Sequence, residues 1–227
     1  MKPPKFFRRF DYPRELLPNK FLAELEKNVE TTEQAVGKTG YTIGYPGWNL
    51  IYYLLISHLK PGQHNIVVET GSNIGCTTIL LAQAIKDSLG TGRLYSVELD
   101  QENYDKAKYN LMQAGVAELV DIRLGDSKEV LRSLVQELSR VRTAFLDASH
   151  LFDDVLEEFE IIYPLLEEDS LVIFDNTYQI AENGEDQRVF GALNHIKETY
   201  GGNLINLEFV SWYTPGLAIW QKTPFPN

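Results

Sequence analysis

Asn65-Ile66-Val67-Val68-Glu69-Thr70-Gly71-Ser72-Asn73-Ile74-Gly75-Cys76 decides the fold. Three apolar residues in a row read as a buried strand. An acid and two glycines follow, and then Cys76–Leu89 carries helical spacing. Gly71 permits a tight turn and the close approach of a ligand. Gly75 lets the helix start near the sheet. Ser72, Thr77 and Thr78 surround the helix start, where amide donors and the helix dipole favour an anionic group.

The same alternation repeats downstream. Strands are expected at Arg93–Leu99, Leu119–Leu124, Thr143–Asp147 and Ser170–Phe174. Helices are expected at Glu102–Ala114, Lys128–Leu138, Leu151–Leu166 and Gln187–Tyr200. Such alternation means βαβ units and a mostly parallel sheet. Leu204–Ser211 and Gly216–Gln221 then read as two strands joined by Tyr213-Thr214-Pro215, a hairpin signal. Upstream, Glu15–Val29 has helical spacing, residues 37–47 with four glycines read as a loop, and Leu50–Leu59 reads as an apolar helix stopped by Pro61-Gly62. Residues 1–46 are expected to form an arm, a helix and a lid or specificity segment. Residues 47–227 form the main domain.

Composition sets outer limits. The chain has 227 residues, 21 Lys plus Arg, 32 Asp plus Glu and a net charge of −11. A nucleic-acid partner is not expected of such a charge. No apolar run approaches about 18 residues, so no membrane span is expected. The single cysteine, Cys76, cannot form an internal disulfide, which points to a reducing, cytoplasmic setting. The first ten residues, MKPPKFFRRF, carry +4 and leave −15 on the rest. They lack a signal-peptide core. Together with Leu16–Val29, this arm is the segment from which a homodimer contact could be built.

In parallel α/β sheets, ligands bind beyond the carboxyl ends of the strands. The second strand ends at Glu98, a candidate acceptor for two ribose hydroxyls, with Asp100 as the cap of the next helix. The third ends at Leu124-Gly125-Asp126-Ser127, where capping and ligand binding are equally compatible with the residues. The fourth ends at Asp147-Ala148-Ser149-His150 and the fifth at Asp175-Asn176.

The first turn is E-x-G-x-x-x-G rather than the dinucleotide G-x-G-x-x-G, because Ser72 and Asn73 stand where a second glycine would be needed. It resembles motif I of the class I S-adenosylmethionine-dependent methyltransferases. The resemblance covers about residues 41–222 and implies a three-layer α/β/α Rossmann-like fold. Its sheet has seven strands in the order 3-2-1-4-5-7-6, with a C-terminal antiparallel hairpin. It further implies S-adenosylmethionine as cofactor. Glu69, Gly71, Ser72, Asn73, Gly75 and Thr77 would lie around its methionine end and Glu98 at the ribose. Asp126 and Ser127 would lie by the adenine, and Asp147 nearby.

Asp147 with Asp175 and Asn176 resembles the metal triad of catechol O-methyltransferase-type enzymes. If the fourth and fifth strands are neighbours, about 4.8 Å apart, two carboxylates and an amide oxygen meet, a hard donor set suited to Mg²⁺. Without a cation one carboxylate would tend to hold a proton. Where that family carries a lysine base, this chain has His150, which titrates near neutrality and could take a phenolic proton. Ser149 is expected to cap the helix that follows. His58, His64 and His195 read as structural. Asp153, Asp154, Glu157, Glu158 and Glu160 read as a solvated helix face. Tyr45, Trp48, Tyr178 and Trp212 are candidate walls for a planar acceptor, Phe152 reads as packing, and Gln179–Gln187 as a lid.

The expected function is methyl transfer to a hydroxyl of a small acceptor molecule, with His150 and Asp147 as catalytic residues. Three alternatives stand beside it: a metal-independent O- or N-methyltransferase, a dinucleotide oxidoreductase, and a non-catalytic cofactor-binding module.

Overall fold

The computed structural model describes residues 16–177, 188–207 and 216–223. The basic arm, the hairpin turn, Tyr178, Trp212 and the segment 179–187 fall outside them. The described strands are β1 (His64–Thr70), β2 (Thr91–Glu98), β3 (Val120–Leu124), β4 (Val141–Leu146), β5 (Leu166–Asp175), β6 (Asn203–Leu207) and β7 (Leu217–Gln221). They form one sheet in the order β3-β2-β1-β4-β5-β7-β6. The first five pair in parallel, and β7 runs antiparallel to both β5 and β6. This is the architecture and strand order that the family resemblance implies.

The helices are α1 (Lys20–Leu25), α2 (Thr32–Thr39), α3 (Gly47–His58), α4 (Cys76–Asp87), α5 (Gln101–Gln113), α6 (Ser127–Glu137), α7 (Phe152–Ile162) and α8 (Arg188–Tyr200). Strand side chains alternate between two cores, as a period of two dictates. Val67, Leu94, Phe145, Ile173 and Leu217 face a core shared with Leu22, Trp48, Ile51 and Leu55 and with residues of α4. Their neighbours Val68, Ala144, Leu146, Val172, Phe174 and Ala218 face a second core with residues of α6, α7 and α8. The sheet is therefore sandwiched between two helical layers. None of the described helices is long and apolar enough to cross a membrane.

The N-terminal expectation needs correction. Helical spacing over Glu15–Val29 yields only the six residues of α1, because the chain turns at Glu26 and Asn28 adopts a left-handed φ of 58°. A new helix, α2, then starts at a capping box: the Thr31 hydroxyl accepts from the Gln34 amide, and the Gln34 side chain reaches back to the Thr31 N–H. Only the segment from Gly40 to Pro46 remains a loop. His64 opens β1.

Register brings the strand ends into line. Thr70 pairs with Val97 and with Leu146, Glu98 with Leu124, and Leu146 with Phe174. Asp147 and Asp175 each follow one member of that last pair, so they leave adjacent strands side by side.

Candidate active site

One cavity of about 620 Å³ lies at the carboxyl edge of the parallel strands. Its walls include Gly71 and Asn73 after β1, Glu98 and Leu99 after β2, and Asp126 to Lys128 after β3. Asp147 to His150 follow β4, Asp175 and Asn176 end β5, and Tyr41 and Thr42 come from the N-terminal segment.

The first turn is held by its own backbone. The N–H groups of Gly71 and Ser72 both donate to the Val97 carbonyl, at 2.9 and 3.0 Å. Gly71 has φ +80°, and a Cβ there would stand 2.4 Å from the Asp147 carbonyl oxygen and 2.8 Å from the Ala148 Cα. A close approach that requires glycine is therefore that of the β4 end, and Gly71 also lines the cavity, where the sequence suggested the approach of a ligand. Gly75, the N-cap of α4, packs on Ala107. Ser72, Gly75, Thr77 and Thr78 do not line the cavity. The Ser72 hydroxyl donates to the Val97 carbonyl, and Thr77 shares a 3.0 Å hydrogen bond with Thr42.

Glu69 also lies behind the wall. It is fully buried, and its Oε2 accepts from Thr78 Oγ1 at 2.6 Å and from Ser96 Oγ at 2.5 Å. Its Oε1 has no partner. Desolvation outweighs the two hydroxyls and pushes its pKa up to about 7.

Glu98 is where a ribose-binding acid should be. Its carboxylate accepts from the Asn73 amide at 2.6 Å and from the Asp100 amide at 2.9 Å, which fixes the group at the cavity wall. Asn73 reaches that position with a left-handed φ of 49°. Asp100 caps α5 through the Asn103 N–H, as expected. Asp126 serves both readings: it caps α6 by accepting from Lys128 and Glu129, and it lines the cavity.

The ends of β4 and β5 converge. Asp147 Oδ1 lies 3.3 Å from His150 Nε2, and the Asn176 amide nitrogen lies 2.8 Å from the same ring nitrogen. Asn176 adopts φ 55°, which turns it back toward the loop after β4. Asp175 is buried, and its Oδ1 has no partner. Burial holds the Asp147 carboxyl well above the usual range, with Glu69 and Glu158 adding to it. Burial does the same to Asp175, with Asp147 adding to it. Burial also lowers the His150 pKa, which favours the neutral imidazole.

Two buried carboxyls, both held above their usual range, with one orphaned oxygen and an amide beside them, suit a hard cation. Among the described residues no group of three or more His, Cys, Asp or Glu could hold a metal ion. The set that converges here is Asp147, Asp175 and the Asn176 amide.

Four expectations fail locally. Ser149 does not cap α7: Leu151 occupies that position, and the Ser149 hydroxyl donates to Asp154 at 2.7 Å instead. Asp154 lines the cavity and pairs with Lys128 at 2.6 Å. Glu158 is not solvated. It is 1% exposed and accepts from the hydroxyls of Thr70 and Ser127. The inward face of α7 carries an acid there because two hydroxyls on neighbouring elements satisfy it, a pairing invisible to helical periodicity. Trp48 is core, its ring N–H donating to Thr42. Tyr45 packs against the core, and neither lines the cavity. Tyr41 and Thr42, which do, lie in a glycine-rich loop whose sequence carries no periodic signal.

A family model described as a methyltransferase domain matches residues 68–177. A catechol O-methyltransferase from Niastella koreensis is 29% identical over 135 residues, covering 57% of this chain and 59% of that protein. Caffeoyl-CoA O-methyltransferase 1 of Eucalyptus globulus is 25% identical over 170 residues, covering 73% of this chain and 62% of that protein. The chain thus matches less than two thirds of the length of these curated relatives. Among solved structures, an O-methyltransferase from Bacillus cereus in complex with S-adenosylhomocysteine superposes with a TM-score of 0.74 at 19% identity, covering 90% of this chain and 91% of that one. The O-methyltransferase TomG from Streptomyces achromogenes, in complex with S-adenosylmethionine, gives 0.71 at 19% identity and covers 91% of each chain.

Proposed function

We propose that this chain, which is of the class I S-adenosylmethionine-dependent methyltransferase kind, methylates a hydroxyl of a small molecule with the help of a divalent metal. The observation that carries the reading is the convergence of Asp147, His150, Asp175 and Asn176 on one wall of the cavity that Gly71, Glu98 and Asp126 also line. The names of the curated relatives support an acceptor of the catechol or caffeoyl type.

S-adenosylmethionine, when bound, supplies an electrophilic sulfonium methyl. A divalent cation would be held by Asp147, Asp175 and Asn176 and would lower the pKa of an acceptor hydroxyl. The chain's own residues do the rest. Glu98 faces the cavity with its carboxylate already ordered by two amides, ready to accept from ribose hydroxyls. Gly71 and Asn73 shape the turn beside it. His150, kept neutral by burial, takes the hydroxyl proton at its imidazole. Asp147 and Asn176 orient that ring. The fixed geometry provides most of the rate gain through positioning and charge stabilisation.

The 3.3 Å Asp147–His150 contact also favours a second reading, in which His150 is oriented by Asp147 and acts without a cation. Titration calorimetry with S-adenosylhomocysteine and with NAD tests the cofactor. Turnover of a catechol acceptor with Mg²⁺ and with excess EDTA then separates the two readings. Full activity in EDTA would sink the metal. Binding of NAD in preference to S-adenosylhomocysteine would sink both.

A further inference from the structure

The cavity walls are built from separate strand ends, and one buried residue ties three of them together. Glu158 sits on the inward face of α7, 1% exposed. Its Oε2 accepts from Thr70 Oγ1 at 2.8 Å, and its Oε1 accepts from Ser127 Oγ at 2.5 Å. Thr70 is the last residue of β1. Its hydroxyl oxygen faces the Asp147 N–H at 3.3 Å, and its carbonyl accepts from the same N–H at 3.1 Å. Ser127 opens α6 beside Asp126 and lines the cavity. The chain of contacts runs from the adenine side of the cavity, through one carboxylate, to the backbone of Asp147.

We propose that Glu158 is a positioning residue: it fixes Ser127 on the cofactor side and, through Thr70, the backbone of Asp147 on the reaction side, so that the two halves of the site keep one spacing. The proposal rests on the cofactor reading given above. A carboxylate suits the task better than an amide, because both of its oxygens accept and both neighbours are hydroxyl donors. A buried ion is costly unless paired and hydrogen-bonded. Burial raises the Glu158 pKa; the Ser127 and Thr70 hydroxyls that hold its two oxygens, and the Lys128 charge, oppose that and favour the carboxylate. Hydrogen bonds from hydroxyls to a carboxylate are stronger than those to a neutral acceptor.

The test is a double-mutant cycle on S-adenosylhomocysteine affinity, read by calorimetry, with thermal unfolding and kcat alongside. Glu158→Gln keeps the shape and removes the second acceptor. It should weaken binding about tenfold, the range of one hydrogen bond to a charged group, while the protein stays folded. Ser127→Ala should weaken binding similarly, and the double variant should bind no worse than either single one. Thr70→Val should lower kcat with little change in affinity, and Thr70→Ser should restore it. If Glu158→Gln does not fold, Ser127→Ala and Thr70→Val carry the comparison, each deleting one donor.

Failure to bind S-adenosylhomocysteine by the unaltered chain overturns the cofactor reading and this inference with it. If the unaltered chain binds, additive losses in the cycle overturn the inference alone. So do variants that change only the unfolding temperature and leave affinity and kcat as they were.

Discussion

The Asn176 side-chain nitrogen lies 2.8 Å from His150 Nε2, joining the end of β5 to the loop that follows β4. The same ring nitrogen lies 3.3 Å from Asp147. Both neighbours meet the same ring nitrogen, so the imidazole is lodged between the ends of β4 and β5.

If His150 is the base, His150→Ala should lower kcat by about 10²–10⁴-fold and leave S-adenosylhomocysteine affinity largely unchanged. The pH–rate profile should rise with pH through a limb below 6.5 and then flatten, because burial lowers the imidazole pKa. Steady-state kinetics from pH 5 to 9 checks both. A limb unchanged in His150→Gln would assign it to another group.

Gly71 is required by its contact with the β4 end. Gly71→Ala places a methyl 2.4 Å from the Asp147 carbonyl oxygen at φ +80°. It should cost about 2–4 kcal/mol, combining left-handed strain with overpacking. Gly62→Ala is the control, because it has φ +70° with nothing within 4 Å. That change should cost only about 1–2 kcal/mol. Urea unfolding of the two variants measures the difference, and equal costs would mean the β1–β4 contact is soft.

These residues also indicate what could be read in advance. Short apolar runs between amphipathic helices, ending in Glu98, Asp147 and Asp175, mark the parallel strands and their ligand edge, because period and strand-end position are local, whereas the strand order rests on the family resemblance. Glu158 reads as solvated in the sequence because its partners, Thr70 and Ser127, meet it only after the chain folds, and the same is true of the contacts that Ser149 and Lys128 make with the half-buried Asp154. Glu69 follows the motif's pattern yet faces Thr78 and Ser96, since alternation along β1 turns its side chain away from the cavity. The N-terminal helices were blurred because Asn28, a single left-handed residue, interrupts a continuous apolar spacing.

Glu69 predicts an unusual pH dependence of stability. Its folded pKa of about 7 lies above the ordinary 4.5, so the folded chain holds its proton more tightly than the unfolded chain does. Stability from this group is therefore full below pH 4.5 and is lost as pH rises toward 7. Glu69→Gln should gain on the unaltered protein by on the order of 2–3 kcal/mol between pH 4.5 and 7.5. Denaturant midpoints at the two pH values measure the gain. A constant difference would show that the group titrates alike in the folded and the unfolded chain.

His58 works in the opposite sense, at the other edge of the sheet. Its ring lies against Arg142: Nε2 is 3.3 Å from the Arg142 carbonyl oxygen, and Nδ1 is 3.2 Å from a guanidinium nitrogen. Burial, and then the Arg142 charge, lower its pKa from 6.5 to about 4. The unfolded chain binds the proton more readily, so stability is full above pH 6.5 and is lost as pH falls toward 4. The loss is on the order of 2–3 kcal/mol for a shift of this size. His58→Gln, which cannot titrate, should flatten the acid limb of a stability–pH curve over that window and leave the curve above pH 7 parallel to the original. An acid limb of unchanged slope would assign the loss to other groups.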